Sequence, residues 1–258
     1  MDLQLRSKVV LITGGTKGIG LACARAFLDE GARVAISSRS PANIAAARQA
    51  LGDVFTFPAD LCHSDQALAL VEQTEQALGP IDILVNSAGA ALRTPPAELT
   101  PAHWVRAMDA KFFSYINVID PLIKRMAERG SGVVVNVIGN GGKLATPTHL
   151  AGGAANAALM LATAGLASAY AGQGVRVVGI NPGLIDTERV TQGFAADARM
   201  SGAEPETIRA KRIGRIPLGR MGTAAEIANA VVFLASGAAS YITGVNISMD
   251  GGSTPIVI

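Results

Sequence analysis

Hydrophobic residues recur along this chain in seven short runs that are rich in β-branched side chains. The runs are nearly continuously apolar rather than alternating, which is typical of parallel strands covered on both faces of a sheet. They predict strands at Val9–Ile12, Val34–Ser37, Val54–Pro58, Ile83–Asn86, Val133–Ile138, Val175–Asn181 and Val245–Met249.

Longer, Ala-rich segments with helical spacing of apolar residues separate these runs. Gly18–Glu30 carries Cys23 and Phe27 on one face, and Asp65–Leu78 ends at a Gly-Pro pair. Repeated alternation of strand and helix predicts an α/β fold, a doubly wound and mainly parallel seven-stranded Rossmann sheet with helices on both faces. No linker, repeat or low-complexity segment divides the chain, so we expect residues 1–258 to form a single domain.

The least regular segment is Asp186–Arg220, between the sixth predicted strand and a helix that begins near Thr223. An insertion at the carboxyl end of a strand is where a substrate lid lies in such folds, so we expect a lid around residues 186–220. Its last part, Arg209–Arg220, carries five basic residues and no acidic one. This run is either a solvated helix face or a surface that attracts an anionic substrate tail.

Composition narrows the class of protein. With 258 residues, 49% of them apolar, the chain can bury a sizeable core, and a net charge of +2 gives no reason to expect nucleic-acid binding. Two cysteines exclude a disulfide scaffold, and no cluster of metal-ligating residues is evident. Leu144–Val175 lacks charged residues but is mostly Ala, Gly, Ser and Thr, which favours a buried soluble helix over a membrane span. We expect a cytoplasmic protein.

A glycine-rich turn follows the first predicted strand directly. Thr13–Gly20 has the sequence TGGTKGIG, and a predicted helix follows. Glycine permits positive φ and close approach of a ligand to the backbone, and a helix N-terminus presents free N–H groups to a diphosphate. The order strand, glycines and helix therefore predicts a dinucleotide site.

The end of the second strand indicates which dinucleotide binds there. NAD-selective sites usually place an acidic residue at this point, whereas this chain has Ser38 followed by Arg39. A guanidinium binds a 2′-phosphate through charge-assisted hydrogen bonds, and Lys17 adds a second positive charge. These residues favour NADP(H) over NAD(H).

Over essentially its whole length the chain resembles the classical short-chain dehydrogenase/reductase family. The motifs that carry the resemblance are Thr13–Gly20, Asp60, Asn86–Gly89, Asn181–Gly183 with Thr187, Ile216–Arg220 and Asp250–Gly252. The resemblance implies cofactor contacts from Gly14, Thr16, Lys17, Gly18, Ile19, Gly20, Ser38, Arg39, Asp60, Leu61, Asn86, Ala88, Gly89, Asn156, Pro182, Gly183, Ile185 and Thr187.

The catalytic positions depart from the family pattern. The family uses a Ser after the fifth strand, a Tyr-x-x-x-Lys on the following helix, and an Asn on the preceding helix. Alignment places Gly139 at the Ser position and Gly152 at the Tyr position, with Asn156 at the Lys position and Lys111 at the Asn position. None of the three tyrosines has Lys four residues later, so the chain contains no Tyr-x-x-x-Lys.

Three residues are candidates to replace the missing groups. His149, three residues before the Tyr position, has an unperturbed pKa suited to proton transfer near neutrality, although a structural or exposed role is the alternative. Lys111 either reaches the space beside Gly152 or Asn156, or is solvated or ion-paired. Asn140 either donates a hydrogen bond to a carbonyl or serves the turn.

Three functions follow as hypotheses. The first is an NADP(H)-dependent oxidoreductase that reduces carbonyls or oxidises alcohols with a non-standard proton donor. The second is a catalytically inactive cofactor-binding subunit or an NADP(H)-responsive regulator. The third is a non-redox enzyme that uses the same cleft. The resemblance also implies a homo-oligomer, a dimer or tetramer, and a hetero-oligomer with an active paralogue is the alternative.

Overall fold

A computed structural model describes residues 2–89 and 91–256 of the chain. Its seven strands all pair in parallel in one sheet. They are β1 (Val9–Thr13), β2 (Arg33–Ser38), β3 (Phe55–Pro58), β4 (Ile83–Asn86), β5 (Gly132–Val137), β6 (Val175–Pro182) and β7 (Asn246–Met249). The sheet order is β3-β2-β1-β4-β5-β6-β7. The predicted doubly wound α/β fold is confirmed, and each predicted strand begins and ends within one residue of an observed one.

Nine α-helices connect and cover the strands of the described chain. They are α1 (Gly18–Asp29), α2 (Pro41–Leu51), α3 (Ser64–Leu78), α4 (Pro101–Ala107), α5 (Ser114–Glu128), α6 (Leu150–Tyr170), α7 (Glu188–Ser201), α8 (Pro205–Ile213) and α9 (Ala224–Ala235). A π-helical segment, Met108–Phe113, joins α4 to α5. Such segments are rare and occur frequently at functional sites.

Two core layers lie on opposite faces of the sheet. Val10 and Ile12 of β1 pack with residues of α1, α2 and α9 in one layer. Val9 and Leu11 pack with residues of α3, α5 and α6 in the other. Because successive side chains of a strand point to opposite faces, a central parallel strand must be apolar at every position.

The edge strands depart from that rule. Phe55 of β3 is 43% exposed and Ile247 of β7 is 37% exposed. Each edge strand has a neighbour on one side only, and its outer face is incompletely covered. Burial on both faces therefore holds for the central strands and not for these two.

The direction of winding reverses between β1 and β4. The chain moves outward from β1 to β3 and then returns to place β4 on the other side of β1. The Thr13 hydroxyl donates to Asn86 Oδ1 at 3.2 Å and accepts from the Ser87 N–H at 3.2 Å, which fixes the two strand ends. Ligands of open α/β sheets bind at such a reversal.

Most of the uncharged stretch forms α6. By length and composition alone, residues 147–173 could cross a membrane, and 44% of the residues in their most apolar window are buried. Leu159, Thr163 and Ala167 are buried against the sheet, whereas Leu161 is 77% exposed. A core helix with one uncovered face accounts for this composition, and the cytoplasmic location stays a prediction.

The segment predicted as a lid contains α7 and α8. Phe194, Ile216 and Met221 form a small apolar cluster of their own there. A bridge between Ile185 and Gly222 ties the segment to the end of β6. This placement puts α7 beside the carboxyl ends of the strands, and closure over a substrate stays a prediction.

Candidate functional site

A cavity of about 840 Å³ lies at the carboxyl ends of the strands. The predicted catalytic residues Lys111, Asn140 and His149 all line it. It is also lined by residues predicted to bind the cofactor: Ile19, Asn156, Pro182, Gly183, Ile185 and Thr187. The structure thus brings the two predicted groups of residues into one space.

The glycine loop has the geometry of a diphosphate cradle. Gly14 and Gly18 have φ of +65° and +52°, which a side chain would strain. A Cβ on Gly20 would overlap the Gly14 carbonyl oxygen. Helix α1 begins at Gly18 with no side-chain cap from any described residue and no acid in its first turn. Its free N–H groups therefore fit a diphosphate.

The two cations predicted for the cofactor have different partners. Arg39 lies 3.7 Å from Asp60, with its side chain 72% exposed, and Lys17 lies 3.2 Å from Glu188 of α7. Exposed ion pairs of this kind contribute little to stability and exchange easily for another anion. Ser38 accepts the Ser40 N–H and adds no negative charge. Arg39 is thus the exposed cation at the end of β2.

Two residues predicted to contact the cofactor have side chains with structural roles, and their contact with a cofactor stays a prediction. Asn86 accepts from Thr13 and donates to Asn136 Oδ1 at 3.0 Å, and Asn136 donates in turn to Thr163. Leu61 is buried in the core. Within this arrangement the Asn86 side chain holds strand ends together rather than facing the cavity.

Lys111 is buried at the cavity wall with no carboxylate within ion-pair distance among residues 2–89 and 91–256. Its Nζ donates to Tyr115 Oη at 2.8 Å and to the Val137 carbonyl at 2.9 Å. Burial, and secondarily the positive charge of Arg189, hold the pKa of Lys111 well below its usual range. The solvated or ion-paired alternative is therefore wrong, and burial favours the uncharged form of the amine.

The His149 ring occupies the space beside Gly152. A Cβ on Gly152 would overlap the ring, and a Cβ on Gly141 would lie 2.6 Å from His149 Cδ2. Burial, followed by Arg93, Arg189 and Lys111, lowers the pKa of His149 to about 4. The expectation of an unperturbed pKa is therefore wrong, because the imidazole is neutral throughout the physiological range.

The loop after β5 is held by the C-terminal segment. Asn140 Nδ2 donates both to Asp250 and to Thr254 Oγ1, the latter at 3.0 Å. Both amide hydrogens are thus used, so the predicted donation from Asn140 to a substrate carbonyl has no support in this geometry. Gly139 has φ of +126°, and Asn156 Nδ2 donates to its carbonyl at 3.4 Å.

Two arginines of the site were missed by the sequence analysis. Arg93 follows β4 in a loop, and Arg189 lies in the first turn of α7. Both line the cavity, and Arg189 Nη1 donates to the Gly89 carbonyl at 3.0 Å. Neither position has a periodic or motif signal. Only the placement of α7 across the cavity brings them together.

Comparison with known proteins decides the family. A family model described as "Enoyl-(Acyl carrier protein) reductase" matches residues 14–254. A 2-(S)-hydroxypropyl-CoM dehydrogenase of Xanthobacter autotrophicus is 35% identical over 260 aligned positions, which cover 99% of this chain and 100% of the relative. The chain belongs to the short-chain dehydrogenase/reductase family. Its fold, and its class as an oxidoreductase that uses a nicotinamide cofactor, follow from that membership.

Further members of the short-chain dehydrogenase/reductase family agree along the whole chain. An acetoacetyl-CoA reductase of Rhizobium meliloti is 34% identical and covers 95% of this chain and 98% of its own. The crystal structure of an actinorhodin polyketide ketoreductase with NADPH superposes with a TM-score of 0.92 at 27% identity, covering 96% of this chain and 97% of that one. Levodione reductase superposes with the same TM-score at 30% identity, covering 98% and 99%.

Proposed function

We propose that this protein is an NADP(H)-dependent oxidoreductase that interconverts a carbonyl compound and an alcohol without a Tyr-x-x-x-Lys pair. One observation carries the proposal. The His149 ring fills the space beside Gly152, the position at which the family resemblance places the catalytic Tyr. A hydrogen-bonding ring thus occupies the volume from which this family normally donates a proton.

When bound, the cofactor supplies the hydride, and this chain's residues hold it in place. The free N–H groups at the start of α1 suit the diphosphate. The exposed Arg39 at the end of β2 supports the choice of NADP(H), because a guanidinium binds a 2′-phosphate more strongly than a neutral hydroxyl. On the cavity side, Pro182, Gly183 and Thr187 line the space for the nicotinamide.

His149 and Lys111 divide the work on the substrate oxygen. A neutral imidazole donates one N–H and polarises a carbonyl without carrying a charge. Lys111 Nζ donates to the Tyr115 hydroxyl and to the Val137 carbonyl, and the Tyr115 hydroxyl donates to the same carbonyl. In the reduction direction the imidazole passes its N–H proton to the alkoxide oxygen that hydride transfer leaves, and it regains a proton from solvent. Tyr115 is a positioning residue for Lys111 because it is fully buried.

The quaternary state belongs to the same proposal. Leu161 stands on the uncovered face of α6, which otherwise presents small residues such as Ala154 and Ala157. Small side chains let two helices approach closely, so we propose a homo-oligomer formed through this face in the cytoplasm. No observation favours the inactive-subunit or non-redox alternatives, since the relatives reported above are named as dehydrogenases or reductases.

Fluorescence titration with NADPH and NADH tests the cofactor assignment. We expect tighter binding of NADPH than of NADH, and we expect Arg39→Ala to weaken NADPH binding about 10-fold or more while leaving NADH binding nearly unchanged. Arg48→Ala, an exposed arginine on α2, serves as the matched control. Equal loss of both cofactors in Arg39→Ala would show that the residue does not contact the 2′-phosphate.

Steady-state turnover of a carbonyl panel with the preferred cofactor tests the chemistry. His149→Gln and Lys111→Met should each lower kcat by about 10²-fold or more, the size expected for positioned proton transfer. Full activity of both variants on a confirmed substrate would remove these residues as donors. Tight cofactor binding with no turnover of any carbonyl would favour the inactive-subunit alternative.

A further inference from the structure

Arginines dominate the charged lining of the cavity. Five of them line it, with only two acidic residues in its described wall. The arginines are Arg93, Arg189, Arg199, Arg212 and Arg215. The acids are Glu98 and Asp197. The space for the substrate is therefore strongly cationic, although the whole chain carries a net charge of only +2.

One of these charges is neutralised inside the protein. Arg212 forms an ion pair with Asp197, and the other Asp197 oxygen accepts from the Thr148 hydroxyl. Asp197 is buried by these contacts. Both oxygens of its carboxylate therefore contact protein groups, one on α8 and one in the loop before α6.

Arg93 and Arg189 have no such partner. Arg93 Nη1 reaches only the Thr148 hydroxyl, at 3.4 Å, and Arg189 Nη1 donates to the Gly89 carbonyl. Neither guanidinium forms an ion pair with a carboxylate of the described chain. Arg189 is exposed and Arg93 is half-buried, so their unused N–H donors are open to a ligand in the cavity, and carboxylates and phosphates match the geometry of a guanidinium.

We propose that Arg93 and Arg189 together bind an oxyanion of the substrate, so that this enzyme acts on a carboxylate-bearing carbonyl compound. The inference rests on the proposed function, because it assigns the substrate class of the same site. It requires no motion of the main chain, since both guanidinium groups already line the cavity.

The location of the two arginines indicates where the carboxylate lies on the substrate. Arg93 and Arg189 line the same cavity as His149, and Arg93 donates to the hydroxyl of Thr148, the residue directly before His149. An oxyanion held between Arg93 and Arg189 therefore lies beside the group that acts on the carbonyl. This geometry favours a short oxo acid, whose carboxylate lies within a few bonds of the reacting carbon, over a substrate with a distant anionic tail.

Calorimetric titration with benzoylformate and its neutral analogue benzoylformamide tests the inference. The two compounds share the 2-oxo group and differ in the charge beside it. The protein is saturated with NADP⁺, which permits binding without turnover, and the titration is repeated without cofactor at low ionic strength. The variants are Arg93→Gln and Arg189→Gln, with Arg48→Gln as a control that removes the same charge from the exposed surface of α2.

We expect the wild type to bind benzoylformate at least about 10-fold more tightly than the amide. Arg93→Gln and Arg189→Gln should each weaken binding of the acid about 10-fold or more and change binding of the amide by less than about 2-fold. Unchanged amide binding also shows that each variant retains its fold. Arg48→Gln should match the wild type.

Three results would overturn the inference. The first is similar affinity for acid and amide, or binding of neither. The second is equal loss of both ligands in the variants. The third is loss of NADP⁺ affinity in Arg189→Gln while the ratio of the affinities for benzoylformate and benzoylformamide stays unchanged. That result would assign the Arg189 guanidinium to the cofactor diphosphate. Failure of the protein to bind either nicotinamide cofactor would refute the proposed function instead, and the titrations without cofactor would still decide the inference.

Discussion

Replacing Lys111 by Met should change how stability depends on pH, because the amine is buried without a counter-ion. Methionine keeps a side chain of similar length and leaves the hydrogen bond from Tyr115 to the Val137 carbonyl in place. In the folded wild type the pKa of Lys111 lies well below its usual range, whereas in the unfolded chain it returns to that range. The unfolded state therefore binds one more proton over the interval between the two values.

The sign follows from proton linkage. Where the unfolded state binds more protons, the free energy of unfolding rises with pH, by about 1.4 kcal/mol per pH unit for one proton. Burial of Lys111 costs the most free energy at low pH, where the unfolded chain is stabilised by a protonated amine. The cost fades as the pH approaches the usual lysine pKa of about 10.4. Between pH 9 and 10, incomplete protonation of the unfolded chain reduces the expected gain to about 1.2 kcal/mol.

Urea unfolding of the wild type and Lys111→Met at pH 9 and pH 10 measures this gain. The stability of the variant relative to the wild type should fall by about 1.2 kcal/mol over that unit, since all other titrating groups cancel in the comparison. Lys124→Met is the control, because a hydrogen bond to Asp120 raises the pKa of the exposed Lys124 and no such fall is expected. Parallel pH dependence of the wild type and Lys111→Met would show that Lys111 is charged in the fold.

Three further predictions concern α6 and its surroundings. Gly152→Ala should lower the free energy of unfolding by about 1–3 kcal/mol in a urea titration, because the new Cβ overlaps the His149 ring. Gly165→Ala is the control and should raise that free energy by up to about 1 kcal/mol, because the described structure leaves open space around Gly165. In an NMR titration, with the signal assigned by its absence from His149→Gln, the His149 imidazole should titrate near pH 4. The midpoint should rise in Arg189→Gln, because that variant removes one of the positive charges that lower the pKa of His149. A wild-type midpoint near 6.5 would contradict the burial argument. Light scattering should show that Leu161→Glu dissociates the oligomer, and a monomeric wild type would refute that interface.

Loss of the Tyr-x-x-x-Lys pair does not leave an empty site. The imidazole packs where a Tyr ring would otherwise extend from position 152, so Gly152 and His149 depend on each other. Introducing Tyr at position 152 would therefore displace His149 rather than restore the family pattern. The volume beside position 152 thus holds an imidazole ring and not open space.

Local patterns were sufficient for the fold and for the conformation of the glycine loop. A central parallel strand such as β1 must be apolar at every position, and a turn at Gly14 with positive φ favours glycine, so both leave a record in consecutive residues. The strand bounds and the glycine loop could be predicted for that reason. The resemblance extended this to the motif after β6, which lines the cavity.

The protonation states and charge pairing of the catalytic side could not be predicted, because they depend on neighbours that are distant in sequence. Arg189 reaches Gly89 across 100 residues, and Asn140 reaches Asp250 across 110. The pKa of Lys111 is lowered because the π-helical segment that carries it buries its amine against the Val137 carbonyl, away from any carboxylate of the described chain. The amino-acid sequence by itself determined the strands, the glycine loop and the absence of a Tyr-x-x-x-Lys. The tertiary structure alone decided which polar groups line the cavity beside Gly152, since burial and Coulomb interactions act between residues that only folding brings together.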